Sequence, residues 1–290
     1  MQALLHQVLF GLATDAIYAS VALALVMIFK ATHHVNFAQG ELAMFSTYVA
    51  LTLINAGVPY WIAFVLTLIF SFIAGVAVER IIVRQFRHAS PLTAVIVFIG
   101  LLTMINGLAG WIFTYTQKGF PSPFPTEAWY GSNYLSPHEV GMMAVTLVVL
   151  AAVFLFFRFT SLGLAMRASA ENPQSSRLVG IRVGWMLALG WGLASVLGAV
   201  AGMMTAPVLF LDPNMMSGVI LYGFAAALLG GIDNPWGAPI GGFIVGVLEN
   251  VAGAYLVGSH LKLALALLVI VAVLVFKPSG LFGRTVVVRV

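Results

Sequence analysis

Nine carboxylates are scattered through 290 residues, and two of them stand where an acid is expensive unless it is paired or wetted. Glu41 closes the polar stretch Asn36-Phe37-Ala38-Gln39-Gly40-Glu41 and is followed at once by the apolar run Leu42 to Leu53. Two readings compete for it: a functional acid at the mouth of a span, or an acid held at a helix N-terminus by the dipole. Glu249, with Asn250 beside it, lies well inside an apolar segment that begins after Leu229-Gly230-Gly231-Ile232-Asp233-Asn234-Pro235-Trp236-Gly237. Acids at such depth line a wet cavity or fasten helices together more often than they catalyse, and both roles stay open. In the corner before it, Gly-Gly ends one helix and Asp233 or Asn234 caps the next. Asp15 and Glu79 are weaker candidates, Asp15 near the end of the first span and Glu79 next to Arg80.

Catalytic chemistry has little to work with. The chain has no cysteine, so thiol nucleophiles, thiolate metal sites and disulfides are excluded. The adjacent His33 and His34 make no metal set by themselves, and no HExxH spacing occurs. There is no Gly-Lys dipeptide to build a phosphate-cradling loop. If ATP drives this protein, another chain binds it, and this one carries no cofactor or metal of its own.

The elements that must position these acids are membrane helices. With 61% hydrophobic and 8% charged residues and a mean hydropathy of +1.05, the chain is far from the roughly 25% charged content of soluble domains. Apolar runs reach the roughly 20 residues that a helix needs to cross a hydrocarbon core, whereas the alternating segments of a barrel are missing. Spans are expected near 8–29, 42–56, 60–79, 92–115, 140–157, 185–206, 217–232, 237–257 and 261–276. The expected fold is an all-α polytopic membrane protein, one domain over 1–290. It is a bundle of about nine segments, with eight to ten as the range. The short second and seventh segments are candidates for broken or re-entrant elements, and the first is a permanent span, not a cleaved signal.

Charge sets the orientation. Lys30, Arg80, Arg84, Arg87, Arg158, Arg167, Arg177, Arg182, Lys277, Arg284 and Arg289 fall on one side, leaving Lys118 and Lys262 opposite. That side is the cytoplasm, which puts the N-terminus outside and the C-terminus inside. The proline-rich stretch from Thr116 to His138, with Trp129 and Tyr130 suited to an interface, reads as an external loop. Small residues four apart, Ala194/Gly198/Gly202, Gly223/Ala227/Gly231 and Ala238/Gly242/Gly246, predict close helix approach and a tight bundle within the C-terminal half.

One hydrophilic stretch breaks the apolar pattern, Phe159 to Val183. Leu162, Ala165, Met166 and Ser169 recur at helical spacing, while Arg167 and Glu171 lie four apart where they can pair. Asn172-Pro173 is a helix start, an N-cap followed by a residue with no N–H to satisfy, and Gly180 is a stop. A mere tether needs neither caps nor a small-residue face.

In order and spacing these motifs resemble one family, over essentially the full length. They are Asn36-Phe37-Ala38 with Gly40-Glu41; Leu162-Gly163, Arg167-Ala168 and Ala170-Glu171 to Gly180-Ile181; Leu229-Gly230-Gly231-Ile232; Gly237-Ala238 with Gly241-Gly242 and Gly246; Glu249; and Pro278-Ser279-Gly280-Leu281-Phe282-Gly283-Arg284. The chain looks like a permease subunit of the branched-chain amino-acid ABC importers, the LivH type. Gln39, where a histidine is common, and Asp233-Asn234-Pro235 depart from that pattern. The resemblance implies a multi-pass inner-membrane permease pairing with a second, homologous permease subunit, two cytoplasmic ATPase subunits that bind ATP and magnesium, and a periplasmic substrate-binding protein. Its surroundings are membrane lipid, and no nucleic acid is involved. It implies that Ser161, Leu162, Gly163, Met166, Arg167, Ala168, Glu171, Arg177 and Gly180 belong to an ATPase-coupling segment. Asn36, Gln39, Glu41, Gly230, Gly231, Glu249 and Asn250 then line or gate the path. The competing expectation is an ion-coupled secondary transporter using Glu41 and Glu249 as ion sites.

Overall fold

The computed structural model describes residues 2–32, 34–86, 89–125, 136–258 and 261–283. His33, Arg87, Trp129, Tyr130, Arg284 and Arg289, named above for chemistry, charge or interface contacts, lie outside them. Among the described residues the chain is helical, with a single antiparallel bridge between Lys118 and Leu211. Eleven α-helices follow in order: α1 Gln2–Thr32, α2 Gln39–Asn55, α3 Tyr60–Ile81, α4 Pro91–Phe113, α5 Pro137–Phe159, α6 Ser161–Glu171, α7 Pro173–Leu178, α8 Val183–Leu209, α9 Met216–Gly230, α10 Gly237–Ala252 and α11 Lys262–Phe276.

Among the described residues six helical segments are long and apolar enough to cross a membrane: Gly11–Lys30, Tyr60–Phe86, Leu92–Phe113, Pro137–Phe159, Val183–Leu209 and Gly237–Tyr255. The other three expected spans fall on shorter helices, α2 with 17 residues and α9 and α11 with 15 each. At 1.5 Å per residue these reach about 22–26 Å, short of a hydrocarbon core of roughly 30 Å.

The helices sort into two compact units, each drawn from distant parts of the chain. The first takes 1–26, 124–144 and 218–290, and so holds most of α1, the start of α5, and α9 to α11 apart from the first residues of α9. The second takes 27–123 and 145–217, including α2 to α4, most of α5, and α6 to α8.

Small residues hold each unit together, with partners other than those the spacing alone predicts. In the second unit a Cβ at Gly198 would meet the Gln39 side chain, and one at Gly202 would meet Thr47 and the backbone of Ala43. The α8 stripe therefore receives α2. In the first unit Gly223 faces Val21, Gly242 faces the backbone of Ala19, and Gly246 faces the Asp15 carboxylate. The stripes of α9 and α10 receive α1. The expected tight bundle within the C-terminal half is present in part: Gly230 of α9 packs on Gly237 and Ala238 of α10, and α9, α10 and α11 share one buried cluster, but α1 joins it through Ala22 and Val26, and the α8 stripe packs instead on α2, where Ala43 lets the backbones approach.

Polar groups inside the second unit are spent on joining helices. Ser46 Oγ donates to Ser71 Oγ at 3.1 Å, and Ser71 Oγ donates to the Ser195 carbonyl at 2.8 Å, which ties α2, α3 and α8 at one level. Trp191, fully buried, stacks on Phe98 of α4 with ring centroids 5.9 Å apart. Arg80 lies 3.9 Å from Glu79 and 3.8 Å from the centre of the Trp185 ring.

Candidate functional site

The start of α2 is built by Asn36. Its Oδ1 accepts from the Ala38 N–H at 3.1 Å and its carbonyl accepts from the Gln39 N–H at 3.3 Å, an Asx-type turn that opens the helix. Gln39 Nε2 then donates to the Ala194 carbonyl at 2.8 Å. Ala194 stands about 16 Å along α8 from its first residue, so this polar start lies deep among the helices, and Asn36 and Gln39 are fully buried.

Glu41 follows in the first turn of α2, buried to 5% exposure. Its Oε2 accepts from Asn106 Nδ2 at 3.3 Å, and the same nitrogen lies 2.9 Å from the Pro213 carbonyl and 3.2 Å from Asn214 Oδ1. Glu41 therefore stands at a helix N-terminus, where the dipole favours it, and a side chain from α4 meets it there. Asn106 and Asn214 are absent from the sequence expectations. The available signal was a lone asparagine in the middle of an otherwise apolar α4.

Glu249 and Asn250 belong to a second polar cluster, within the first unit. Lys262 Nζ lies 3.6 Å from Glu249 Oε1 and donates to Asn250 Oδ1 at 3.1 Å, while Asn250 Nδ2 donates to the Gly246 carbonyl at 3.3 Å. The stacked rings of Tyr18 and Tyr222, 4.9 Å apart, carry phenols that interact with Glu249. Asp15 is wholly buried with its carboxylate against Gly246. Lys262, Tyr18 and Tyr222 were not singled out as site residues. A lysine opening an apolar helix was the readable sign.

Gly230 and Gly231 do not join that cluster. They close α9 one helix length away, since Gly237 to Glu249 spans about 18 Å of α10. A Cβ on Gly230 would run into the backbone of Gly237, and Gly231 has φ +108° with the Ser279 and Gly283 backbones beside it. The chain tail seals this corner: Leu281 N donates to the Leu229 carbonyl at 2.7 Å and Phe282 N to the Gly230 carbonyl at 3.2 Å. Neither candidate caps α10, whose N-cap is Trp236 with no side-chain bond; Asn234 instead braces the turn before the helix. Its Oδ1 accepts from Trp236 N at 3.1 Å and its Nδ2 donates to the Phe282 carbonyl at 3.0 Å.

The polar stretch from 159 to 183 folds as the two short helices its caps predict. Thr160 Oγ1 accepts from Gly163 N at 3.0 Å to start α6, and Asn172 Oδ1 accepts from Ser175 N at 2.9 Å to start α7 at Pro173. Gly180 takes φ +84° just past the end of α7. The packed face is Gly163, Met166 and Ser169, not one that includes Leu162, which is half exposed. A Cβ on Gly163 would meet the Phe156 carbonyl and Phe157, so Gly163 sets the corner between α5 and α6. Glu171 lies 4.0 Å from Lys30, rather than pairing with Arg167. Ser161, Arg167, Arg177, Leu178 and Val179 face outward, while Ala168 is half-buried.

Helices long and apolar enough to cross a membrane, with acids bonded among them, are the architecture of a polytopic membrane protein, and the known proteins give its class as a permease. A family model described as the branched-chain amino acid transport system / permease component matches residues 7–276, and the chain belongs to that family. It is 28% identical to the high-affinity branched-chain amino acid transport system permease protein LivH of Salmonella typhimurium, over 99% of this chain and 97% of that one. It is 29% identical to BraD, the protein of the same description in Pseudomonas aeruginosa, over 99% and 98%. A more distant relative is the autoinducer 2 import system permease protein LsrC of Escherichia coli, 23% identical over 90% of this chain and 77% of that one.

Proposed function

We propose that this chain is the membrane-spanning half of an ATP-driven importer for branched-chain or chemically related amino acids. Its partners are a second, homologous permease, two cytoplasmic ATPase subunits that hold ATP and magnesium, and a periplasmic binding protein. The observation that carries this reading is the α6–α7 pair. Two individually capped helices end on Leu178 and Val179, which are 88% and 77% exposed, at the most hydrophilic place in the chain. Apolar tips on a rigid polar platform are suited to a groove on another protein, with Arg167 and Arg177 to orient them. In operation, closure of the ATPase pair moves this platform as a rigid body, and α5 and α8, which flank it in the chain, carry the motion inward.

On this reading α6 and α7 are cytoplasmic, the N-terminus is outside and the C-terminus inside. All nine apolar helices, the short α2, α9 and α11 included, form one permease domain. Asn36, Gln39 and Glu41 line the path, Glu249 and Asn250 lie along it, and Gly230 and Gly231 form a rigid corner that borders it.

The test is affinity purification of the tagged chain in mild detergent from its native membrane, beside a Leu178→Asp/Val179→Asp variant. The expected result is a P-loop ATPase that accompanies the wild type and is lost from the variant, whose own yield is unchanged because both positions are exposed. A chain that purifies alone, with uptake following a proton or sodium gradient, would replace this reading with ion-coupled transport through Glu41 and Glu249.

A further inference from the structure

The Asn106 amide is over-subscribed. Its Nδ2 carries two protons, yet three oxygens surround it: the Pro213 carbonyl at 2.9 Å, Asn214 Oδ1 at 3.2 Å and Glu41 Oε2 at 3.3 Å. The carbonyl and the carboxylate only accept, so the nitrogen and not the oxygen of this amide must face them. Asn106 Oδ1 in turn accepts from the Tyr115 hydroxyl at 3.1 Å. A centre with three donors and a positive charge would satisfy this set better than an amide does. A primary ammonium group has three donors and that charge, and charge-assisted hydrogen bonds are about twice as strong as neutral ones. Among the described residues no lysine, arginine or histidine makes an ion pair with Glu41, although it is buried.

The acceptors are also held in place. Lys118 and Leu211 exchange backbone hydrogen bonds at 2.9 and 2.8 Å, Gln117 Nε2 donates to Asp212 Oδ2 at 3.5 Å, and Asp212 Oδ1 accepts from Asn214 N at 2.6 Å. Thr114 and Phe210 precede the two paired segments at φ +66° and +63°, a conformation costly for residues with a Cβ. Backbone strain at both approaches shows that the surrounding contacts fix this turn. Burial falls from Glu41, buried, through Asn106, half-buried, to Asn214, exposed, so the set opens to the surface at one end. On the same two helices Leu42, Leu101 and Ile105 form an apolar cluster beside it.

We propose that Glu41, Asn214 and the Pro213 carbonyl form a binding site for the α-ammonium group of an aliphatic amino acid, and that the Asn106 amide occupies this site as an internal stopper when no substrate is present. The inference rests on the importer reading above and adds to it the group that the permease recognises. Substrate enters when the Asn106 side chain swings aside, and the ammonium takes over all three acceptors. The stopper keeps the buried carboxylate solvated by protein between transport events.

The test uses the purified permease–ATPase complex in nanodiscs without binding protein. The probes are leucine and 2-hydroxy-4-methylpentanoate, which carries a hydroxyl in place of the ammonium. Asn106→Ala should bind leucine about tenfold more tightly than wild type or better, with the hydroxy acid unchanged, and adding Glu41→Gln should abolish the gain. Asn214→Ala, at an exposed position that leaves the helices untouched, should weaken leucine binding severalfold in the Asn106→Ala background. Equal gains for both probes, or a leucine gain that survives Glu41→Gln, would overturn the proposal, as would unchanged leucine affinity in Asn106→Ala. Failure of the importer reading is seen separately, as a wild-type complex that drives no ATP-dependent leucine uptake in proteoliposomes.

Discussion

At Glu249 the surroundings decide what the residue does. Its carboxylate is mostly buried and lies 3.6 Å from Lys262, whose side chain is 28% exposed. Breaking a buried ion pair from one side costs about 3–5 kcal/mol, and the partial exposure of Lys262 puts this pair at or below the lower end. Lys262→Met should therefore destabilise the protein by about 2–3 kcal/mol, and Lys262→Met/Glu249→Gln should recover most of the loss, as read from thermal unfolding in detergent. A double variant no more stable than the single one would show that Glu249 is not balanced by Lys262. Gly246 gives a second contrast, because a Cβ there would overlap the Asp15 carboxylate. Gly246→Val should cost about 3 kcal/mol or more, since overpacking alone costs about 1–3 and here the displaced atoms belong to a buried acid. Gly218→Ala, with nothing within 4 Å of its Cβ, should be near neutral. Monodisperse yield after extraction compares the two.

Among elements, α7 is the most dependent on its cap. A six-residue helix is too short to persist on its own propensity, and it begins with Asn172 Oδ1 accepting from Ser175 N. Asn172→Ala should cost about 1 kcal/mol, expressed locally. Hydrogen exchange should show amides of residues 175–180 opening faster while those of α8 are unchanged. Uniform protection across both would mean that tertiary contacts, not the cap, hold the helix. The caps at Asn172 and Gly180 were legible because capping is local chemistry. The packed face of α6 was not, because Leu162, Ala165, Met166 and Ser169 satisfy helical spacing as well as Gly163, Met166 and Ser169 do. Only the position of Phe156 and Phe157 selects between them.

At the scale of the molecule, each compact unit combines helices from both halves of the sequence. Small-residue stripes were readable as stripes, since spacing of four places residues on one helix face. Their partners were not, because α1 and α2 present small residues whose role is visible only once they are seated against them. The same limit explains the polar groups. Glu41 and Glu249 announced themselves by sitting among apolar residues, whereas Asn106 and Lys262, the side chains that meet them, are 65 and 13 residues away in sequence.

The sequence by itself determined the solvent, the helical architecture, the capped polar segment and the family, because hydropathy, capping and motif order are properties of neighbouring residues. Tertiary structure alone decided that Gly230 and Gly231 are locked by the chain tail at the opposite end of α10 from Glu249, that Glu171 reaches Lys30, and that one asparagine amide gathers three oxygens around Glu41. These are contacts between segments far apart in the chain, and in a membrane, where apolar faces discriminate little between partners, close approach and hydrogen bonding choose among the pairings that periodicity allows.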